Sequence, residues 1–472
     1  MAEGETPRRE IPLEARRLFD QGATLQRAGR NADALAVYEN LLRAFPDYPG
    51  AFHNIGICYR GLRQFEAGIA ALMRAVEEAP ANAQSWSSLG NILKDAGRLD
   101  EALAAHERAV ALAPQLAGVH QNQGVALREA GMLREALAAL DRCLAIDADR
   151  PEARWDRALT LLFLEDYEAG WKGYEERWTL GEHKPATSTL PKWDGSPQPD
   201  KGLVLTTEQG YGDALMFVRF CAEARKRVGK VVLACKPELH RLFRTVPGVD
   251  LVMPESGKIA GAHLHAQLLS LPMLLGHRFS DLPGPMPYLF PPVAPNPRLA
   301  QGLARGKERF KVGIVWSGSV SFKGNATRRA PLDRFLRFAE IPGVQLFSLQ
   351  KRQPADELKA LKGETLIADL GPALEDFADA AAAAAEMDLI LMTDSAMAHL
   401  GGALGRPVWV LLQFAPDWRW FRDRADSPWY PTLRLFRQPR PGDWDSPFEA
   451  AHRALAERVA AWRAEERSPN PS

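Results

Sequence analysis

Apolar residues in the first part of the chain recur three and four positions apart, stop at a glycine or a proline, and resume in the same register 34 residues later. Gly22, Gly56, Gly90, Gly124 and Ala158 follow one another at that step, and so do Ala34, Gly68, Ala102, Ala136 and Gly170. Pro46, Pro80 and Pro114 keep it as well, while Gly97 and Gly131 mark a turn inside each unit. A unit reads as one amphipathic helix (SWSSLGNILKDAG), a turn, a second helix (EALAAHERAVAL) and a closing proline. The proline ends the second helix because its ring nitrogen has no hydrogen to donate to the helical ladder. Small residues stand where the helices of a pair must touch closely.

This pattern resembles the tetratricopeptide repeat family over residues 14–180. One helix pair cannot bury its apolar face alone, so neighbouring pairs stack into a superhelix with an extended concave surface. A binding or spacing module is the expectation, and the competing reading is that the repeats merely cap and stabilise the domain behind them. The fifth unit, RWDRALTLLFLEDYEAGWKGYEERW, carries Trp171, Tyr174 and Trp178 in place of small residues. Terminal repeats are atypical, and this aromatic surface is predicted to dock on the next domain.

The 34-residue period ends after Leu180, and residues 181–200 are rich in proline, glycine and serine, as a connector would be. Short β-branched runs then alternate with amphipathic stretches: LVLTT, DALMFVRFCAEARKRV, KVVLAC and PELHRLFRTV. Such alternation implies a parallel sheet with helices on both faces. A proline-dense segment, LPGPMPYLFPPVAPNP at 282–297, separates this half from a second one containing KVGIVWSG, VQLFSLQ, DLILMTD and PVWVLL and ending in the helix PFEAAHRALAERVAAWRAEE. The predicted fold class is α + α/β: a repeat superhelix (14–180), a linker (181–200), and two Rossmann-like α/β domains (201–297 and 298–472). Ligands of such sheets bind beyond the carboxyl ends of the strands, here in a cleft between the halves.

Composition narrows the function classes. Lys plus Arg equals Asp plus Glu at 59 each, so the chain lacks the overall positive charge of a protein that coats nucleic acid or an anionic membrane; a local basic pocket stays open. The cysteines Cys58, Cys143, Cys221 and Cys235 form no CxxC pair and are read as reduced structural thiols. The amino terminus MAEGETPRRE has no apolar leader and no run reaches the length of a membrane span, which leads to the expectation of a cytoplasmic protein.

Four stretches could carry chemistry. TTEQGYGDALMF (206–217) ends the first strand; Gly210 and Gly212 allow tight turns, Glu208 lies on the same loop, and Asp213 is either a general base or the cap of the following helix. DLILMTDSAMAHLGGALGRPVWVLL (388–412) places Asp394 and Ser395 at the start of a helix whose amides could hold a phosphate, with His399 either a donor or a packed core histidine. VWSGSVSFKGNATRRAPLDRF (315–335) carries Lys323, Arg328 and Arg329, cations suited to a diphosphate or simply a solvated cluster. FSLQK puts Gln350 and Lys351 at another strand end, where a base or phosphate could be read. The Asp443–Trp444–Asp445 triplet follows no apolar strand, and His263 with His265 lacks a third ligand, so neither is taken as a metal site.

GYGDAL, VGIVWSGSVSFK and TDSAMAHLGGALGRPVWVLL together resemble glycosyltransferase family 9, the ADP-heptose:lipopolysaccharide heptosyltransferases, over residues 200–440. The resemblance implies a GT-B body, an inverting transfer that needs no metal or other cofactor, and a nucleotide-sugar donor as substrate. It also implies that Asp213 is the base, that Lys323 serves the donor phosphates, and that Asp394 and His399 lie on the donor side. Ala396 departs from the family, which usually has glycine there. Repeats followed by such a body are similar in layout to the O-linked N-acetylglucosamine transferases, which suggests a protein or glycan acceptor presented by the repeats. A repeat scaffold with an inactive transferase body, and a sugar-nucleotide epimerase, are the competing expectations.

Overall fold

The computed structural model describes residues 11–181, 188–255, 261–292, 296–320, 324–351, 356–361 and 363–467. Its packing divides into two compact units, Met1–Thr160 and Leu161–Ser472.

The first unit consists of helix pairs: Leu13–Arg27 with Asn31–Ala44, Ala51–Gly61 with Phe65–Glu78, Ala83–Asp95 with Leu99–Leu112, and Ala117–Ala130 with Leu133–Ile146. The 34-residue glycine series explains how each pair closes. A Cβ added at Gly22, Gly56, Gly90 or Gly124 would collide with Tyr38, Leu72, His106 or Leu140, the residue 16 positions later in each pair. The turns share a second register. Gly29, Gly97 and Gly131 have φ of 74°, 80° and 88°, and Arg63 and Glu165 adopt 59° and 66° at the equivalent positions. Successive pairs are tied by the ion pairs Arg60–Asp95 at 2.6 Å and Lys94–Glu129 at 2.9 Å, and Arg128–Asp156 at 3.0 Å ties the fourth pair to the helix that begins at Pro151.

In the second unit the helix Tyr167–Tyr174 and the turn Glu175–Trp178 are the last pieces of repeat-like sequence. Of the three aromatic residues singled out in the sequence, Trp171 and Tyr174 pack on the α/β body, together with Tyr167, whereas Trp178 lies against Arg177 of its own turn. The Trp171 ring meets Phe217 at 5.8 Å and Trp418 at 5.4 Å, and Tyr167 stacks on Trp429 at 5.7 Å.

The body contains two parallel sheets. The first comprises β1 (Gln198–Thr206), β2 (Val228–Cys235), β3 (Leu251–Pro254) and β4 (Leu264–Gln267) in the order β3-β2-β1-β4. The second comprises β5 (Phe310–Val315), β6 (Val344–Ser348), β7 (Ile367–Asp369), β8 (Leu389–Thr393), β9 (Val408–Leu412) and β10 (Leu433–Arg437) in the order β10-β9-β8-β5-β6-β7. All their pairings are parallel. Each order reverses once, between β1 and β4 and between β5 and β8, as in doubly wound sheets. Every residue of β8 and β9 is buried, which accounts for their unbroken apolar runs: a sheet covered on both faces cannot alternate. The helix Asp445–Arg467 closes one face of the second sheet through Phe448, Ala451, Leu455 and Val459.

Two sequence expectations are refined. DALMFVRFCAEARKRV is two short helices, Tyr211–Phe217 and Cys221–Arg227, separated by the tighter turn Val218–Phe220. PELHRLFRTV gives only one turn of α-helix, His240–Phe243. The two sheet halves meet through partly buried polar contacts as well as apolar ones. The Arg219 guanidinium donates to the Trp429 carbonyl at 3.1 Å and to the Tyr288 hydroxyl at 3.0 Å. At Gly212 a Cβ would stand 3.1 Å from Cδ2 of His399, so glycine here permits a close approach between the helices Tyr211–Phe217 and Ala396–Ala403. Among the described residues no helix is long and apolar enough to cross a membrane.

Candidate functional site

A cavity of about 530 Å³ lies where the order of the second sheet reverses. Its walls are the chain following β5 (Ser317–Val320), the chain following β6 (Leu349–Lys351) and the start of the helix Ala396–Ala403. Tyr211 and Glu238 of the first half also line it, as do Leu374, Asp376, Phe377 and Ala380 of the second, and the Tyr211 ring lies 4.9 Å from that of Phe377. Most of the lining is apolar, with polar groups at the strand ends, the usual make-up of a small-molecule site.

The residues singled out in the sequence divide into those on the cavity wall and those beside it. Ser395 is on the wall and caps the helix, its hydroxyl accepting from the Met397 amide at 3.4 Å. Gln350 is also on the wall, but it is 5% exposed and its carbonyl oxygen accepts from the amides of Trp316 and Ser317 at 3.2 and 3.1 Å. The Gln350 carbonyl thereby shapes the chain beyond β5. Lys351 lines the cavity and its ammonium donates to the Glu375 carbonyl. Lys323 lies outside the described residues.

Asp394 and His399 stand behind the wall. His399 is 5% exposed, hydrogen-bonded through Nδ1 to the Tyr430 hydroxyl at 2.9 Å and stacked on Trp420 at 5.0 Å. Burial pushes its pKa down to about 3, with Arg419 adding to the effect. It is therefore held as a neutral histidine between Tyr430 and Trp420, behind the cavity wall. Asp394, 5% exposed, faces Nε of Arg328 at 3.3 Å; burial raises its pKa against the pull of that cation. The basic loop is likewise engaged: Arg328 also reaches Asp417 at 3.6 Å, and Arg329 pairs with Glu357 at 2.7 Å.

On the first half, Gly210 precedes the helix Tyr211–Phe217 and its amide donates to Oδ2 of Asp213 at 3.1 Å. From the third helical position, Asp213 thus holds the amide of the N-cap residue Gly210, an arrangement that is compatible with either of its sequence readings. Its Oδ1 also accepts from Nη2 of Arg419 at 2.6 Å, and its side chain keeps 20% exposure. Glu208 is withdrawn from the cleft instead of facing an acceptor. Its Oε1 accepts from Arg177 at 3.0 Å and from the Leu269 amide at 3.1 Å, and burial lifts its pKa to about 7.

Sequence reasoning missed Asp417 and Arg419, which join these parts. Arg419 donates to Asp417 at 2.8 Å, so Asp213, Arg419, Asp417, Arg328 and Asp394 form one chain of alternating charge. Burial opposes ionisation of Asp417, but Arg419 and Arg328 outweigh it and hold its pKa below the ordinary value. The available signal was positional: Asp417 follows the strand run PVWVLL, at a carboxyl end where functional groups gather. Asn325 was missed too; buried, it ties Gly318 and Ser317 together at 2.9 and 3.0 Å. Among the described residues no group of three His, Cys, Asp or Glu side chains could hold a metal ion.

The repeat unit has its own hollow of about 320 Å³, lined by His53, Gln84, Ser87, Asn122 and Arg150 among others. Its wall mixes amide and hydroxyl groups with the apolar Leu116 and Val119. Asn122 donates to Ser87 at 2.9 Å, and His53 shares a hydrogen bond of 3.0 Å with Ser85.

Comparison with known proteins supports the repeat assignment. The tetratricopeptide repeat family matches residues 25–92, and a second tetratricopeptide repeat family matches residues 85–119. The N-terminal region therefore carries tetratricopeptide repeats, and such repeats point to protein partners. Protein FlbA of Caulobacter vibrioides is 28% identical over 339 residues, covering 65% of this chain and 55% of its own length. The chain spans about half the length of that curated relative. A thermophilic tetratricopeptide repeat protein of Thermus thermophilus is similar over 35% of this chain and 91% of its own, with 21% identity and a TM-score of 0.33. MamA of Desulfovibrio magneticus RS-1 is similar over 36% of this chain and 96% of its own, with 16% identity and a TM-score of 0.30.

Proposed function

We propose that the α/β body is a GT-B glycosyltransferase of the inverting type, and that the repeats recruit its acceptor. The observation that carries this reading is the cavity at the reversal point of the second sheet, walled by a helix start and by the polar chain ends after β5 and β6. A nucleotide sugar fits such a site: its flat base suits the apolar lining, and its diphosphate suits the amides at Ser395–Met397. Lys351 supplies a cation on the same wall.

The reaction joins an acceptor hydroxyl oxygen to the anomeric carbon of the sugar while the bond from that carbon to the diphosphate breaks. The nucleoside diphosphate leaves with the bonding pair, and the hydroxyl proton passes to Asp213. An ionised carboxylate offers about four acceptor positions. Arg419 and the Gly210 amide occupy two of those on Asp213, which leaves room for a substrate hydroxyl. The Tyr211–Phe377 ring contact between the halves, at 4.9 Å, narrows the entry of water and slows hydrolysis of the donor without abolishing it.

The same engagement of Asp213 favours a second reading, a repeat scaffold whose transferase body is inactive. Calorimetric titration of the full chain with uridine, adenosine, guanosine, cytidine and thymidine diphosphates separates the two. A transferase binds at least one of them, and Ser395→Trp, which fills the helix start, abolishes that binding. Failure of every nucleoside diphosphate to bind would leave the scaffold reading standing.

A further inference from the structure

We propose that Arg419 is a positioning residue for transfer, holding the Asp213 carboxylate in its working direction only when the two α/β halves are closed on one another. The inference rests on the glycosyltransferase reading and adds to it a residue that senses closure. Asp213 belongs to the helix after β1 of the first half, whereas the turn Asp417–Trp420 follows β9 of the second. One guanidinium spans them: Nη2 donates to Asp213 at 2.6 Å and Nη1 donates to Asp417 at 2.8 Å. The guanidinium lies 4.4 Å from the Trp418 ring, and Arg419 is 8% exposed, so its position is set by packing as well as by charge. The Tyr174 hydroxyl, 3.5 Å from Nη2, bounds it on the side of the last repeat helix.

With Oδ2 held by the Gly210 amide and Oδ1 by Arg419, the remaining lone pairs of Asp213 have a defined direction, which proton acceptance in a bimolecular step requires. Separating the halves removes the second of these restraints. A lysine has one nitrogen and cannot bridge two carboxylates with the fixed fork of a guanidinium. Beyond Asp417, the pairs Arg328–Asp417 and Arg328–Asp394 carry the same chain to the turn before the cavity helix.

The test uses the full chain and the nucleotide sugar of the nucleoside diphosphate that binds most tightly in the calorimetric series, with water as acceptor and nucleoside diphosphate release as the readout. Arg419→Gln is expected to lower kcat about 30-fold while changing the Kd of the nucleoside diphosphate less than about two-fold, with Arg419→Lys intermediate. Because Arg419 acts through Asp213, the double variant Asp213→Asn/Arg419→Gln is expected to be no slower than Asp213→Asn alone. A purely structural role would leave kcat of folded Arg419→Lys at the unsubstituted value, or make the two losses multiply, and either result overturns the proposal. Absence of nucleoside diphosphate binding by the unsubstituted protein is a different result: it overturns the transferase reading, and this proposal with it.

Discussion

The Arg177 guanidinium, with no exposed side-chain surface, lies 3.0 Å from the Glu208 carboxylate, so the turn after the last repeat helix is ion-paired to the chain leaving β1. Glu175 and Ser270 complete the cluster at 2.6 and 2.8 Å from the same guanidinium. Removing one partner of a buried pair strands the other charge in a poorly solvated place, which costs about 3–5 kcal/mol, whereas removing both costs far less. Arg177→Met is therefore expected to destabilise the second unit by that amount, and Arg177→Met/Glu208→Leu to recover most of it. Urea unfolding of the full chain, followed by amide exchange in β1 and β4, checks both. Equal loss in the single and double variants would mean that the ion pair is not what joins these segments.

His106 sits over Gly90, where an added Cβ would be 2.6 Å from Nε2, at the register position that Leu72 and Leu140 occupy in neighbouring repeats. Both ring nitrogens are buried without a hydrogen-bond partner, and burial lowers the pKa from 6.5 to about 4. The folded pKa lies below the unfolded one, so the unfolded chain takes up the proton first as pH falls. Stability from this site is accordingly flat above pH 6.5 and declines between 6.5 and 4, by up to about 3 kcal/mol. His106→Leu removes that decline and satisfies the core, with an expected gain of about 1–3 kcal/mol at neutral pH. The measurement is the difference in urea midpoint between the variant and the unsubstituted chain at pH 7.5 and pH 5, and a difference that does not grow toward acid refutes the assignment.

Arg63 adopts a φ of 59° where the corresponding turns have Gly29, Gly97 and Gly131. A side chain in this left-handed region costs about 1–2 kcal/mol, partly offset by the entropy that glycine adds to the unfolded chain and by the contact of Arg63 with the Phe65 ring at 5.4 Å. Arg63→Gly is expected to raise stability by about 0.5 kcal/mol, and Arg63→Val, β-branched in a left-handed turn, to lower it by about 1 kcal/mol or more. Thermal unfolding of the three proteins gives the order directly.

These sites also show how far the sequence could be read. The repeat helices were legible because glycine contacts and turn angles recur at a fixed 34-residue interval, which a linear pattern records. β8 and β9 were legible for a similar reason, since burial on both faces leaves an unbroken apolar run. β3 and β7, with four and three residues, are too short to make such a run. The ion-pair chain was invisible because its members come from loops far apart in sequence, and only the meeting of the halves brings Asp213 to Arg419. For His399, one histidine in an apolar helix does not show which way its ring turns; its hydrogen bond to Tyr430, 31 residues away, does.

Gln350 offers a test of the cavity wall that does not depend on the transfer chemistry. Its carbonyl oxygen takes the amides of Trp316 and Ser317, and its side-chain nitrogen donates to the Lys351 carbonyl at 3.4 Å, so one side chain links the chain ends of β5 and β6. Gln350→Leu has nearly the same size but leaves two buried amides without an acceptor, each costing about 1–3 kcal/mol. The chain beyond β5 is expected to move to reach water, which spoils the wall that Ser317 and Gly318 give the cavity. The outcome should be a lower melting temperature together with at least ten-fold weaker binding of whichever nucleoside diphosphate the unsubstituted chain prefers, a loss of about 1.4 kcal/mol. Gln350→Glu keeps an acceptor facing both amides and should retain more of the binding than leucine does. If both variants melt lower yet bind as the unsubstituted chain does, the nucleotide does not contact this wall, and the site must be sought elsewhere on the second sheet.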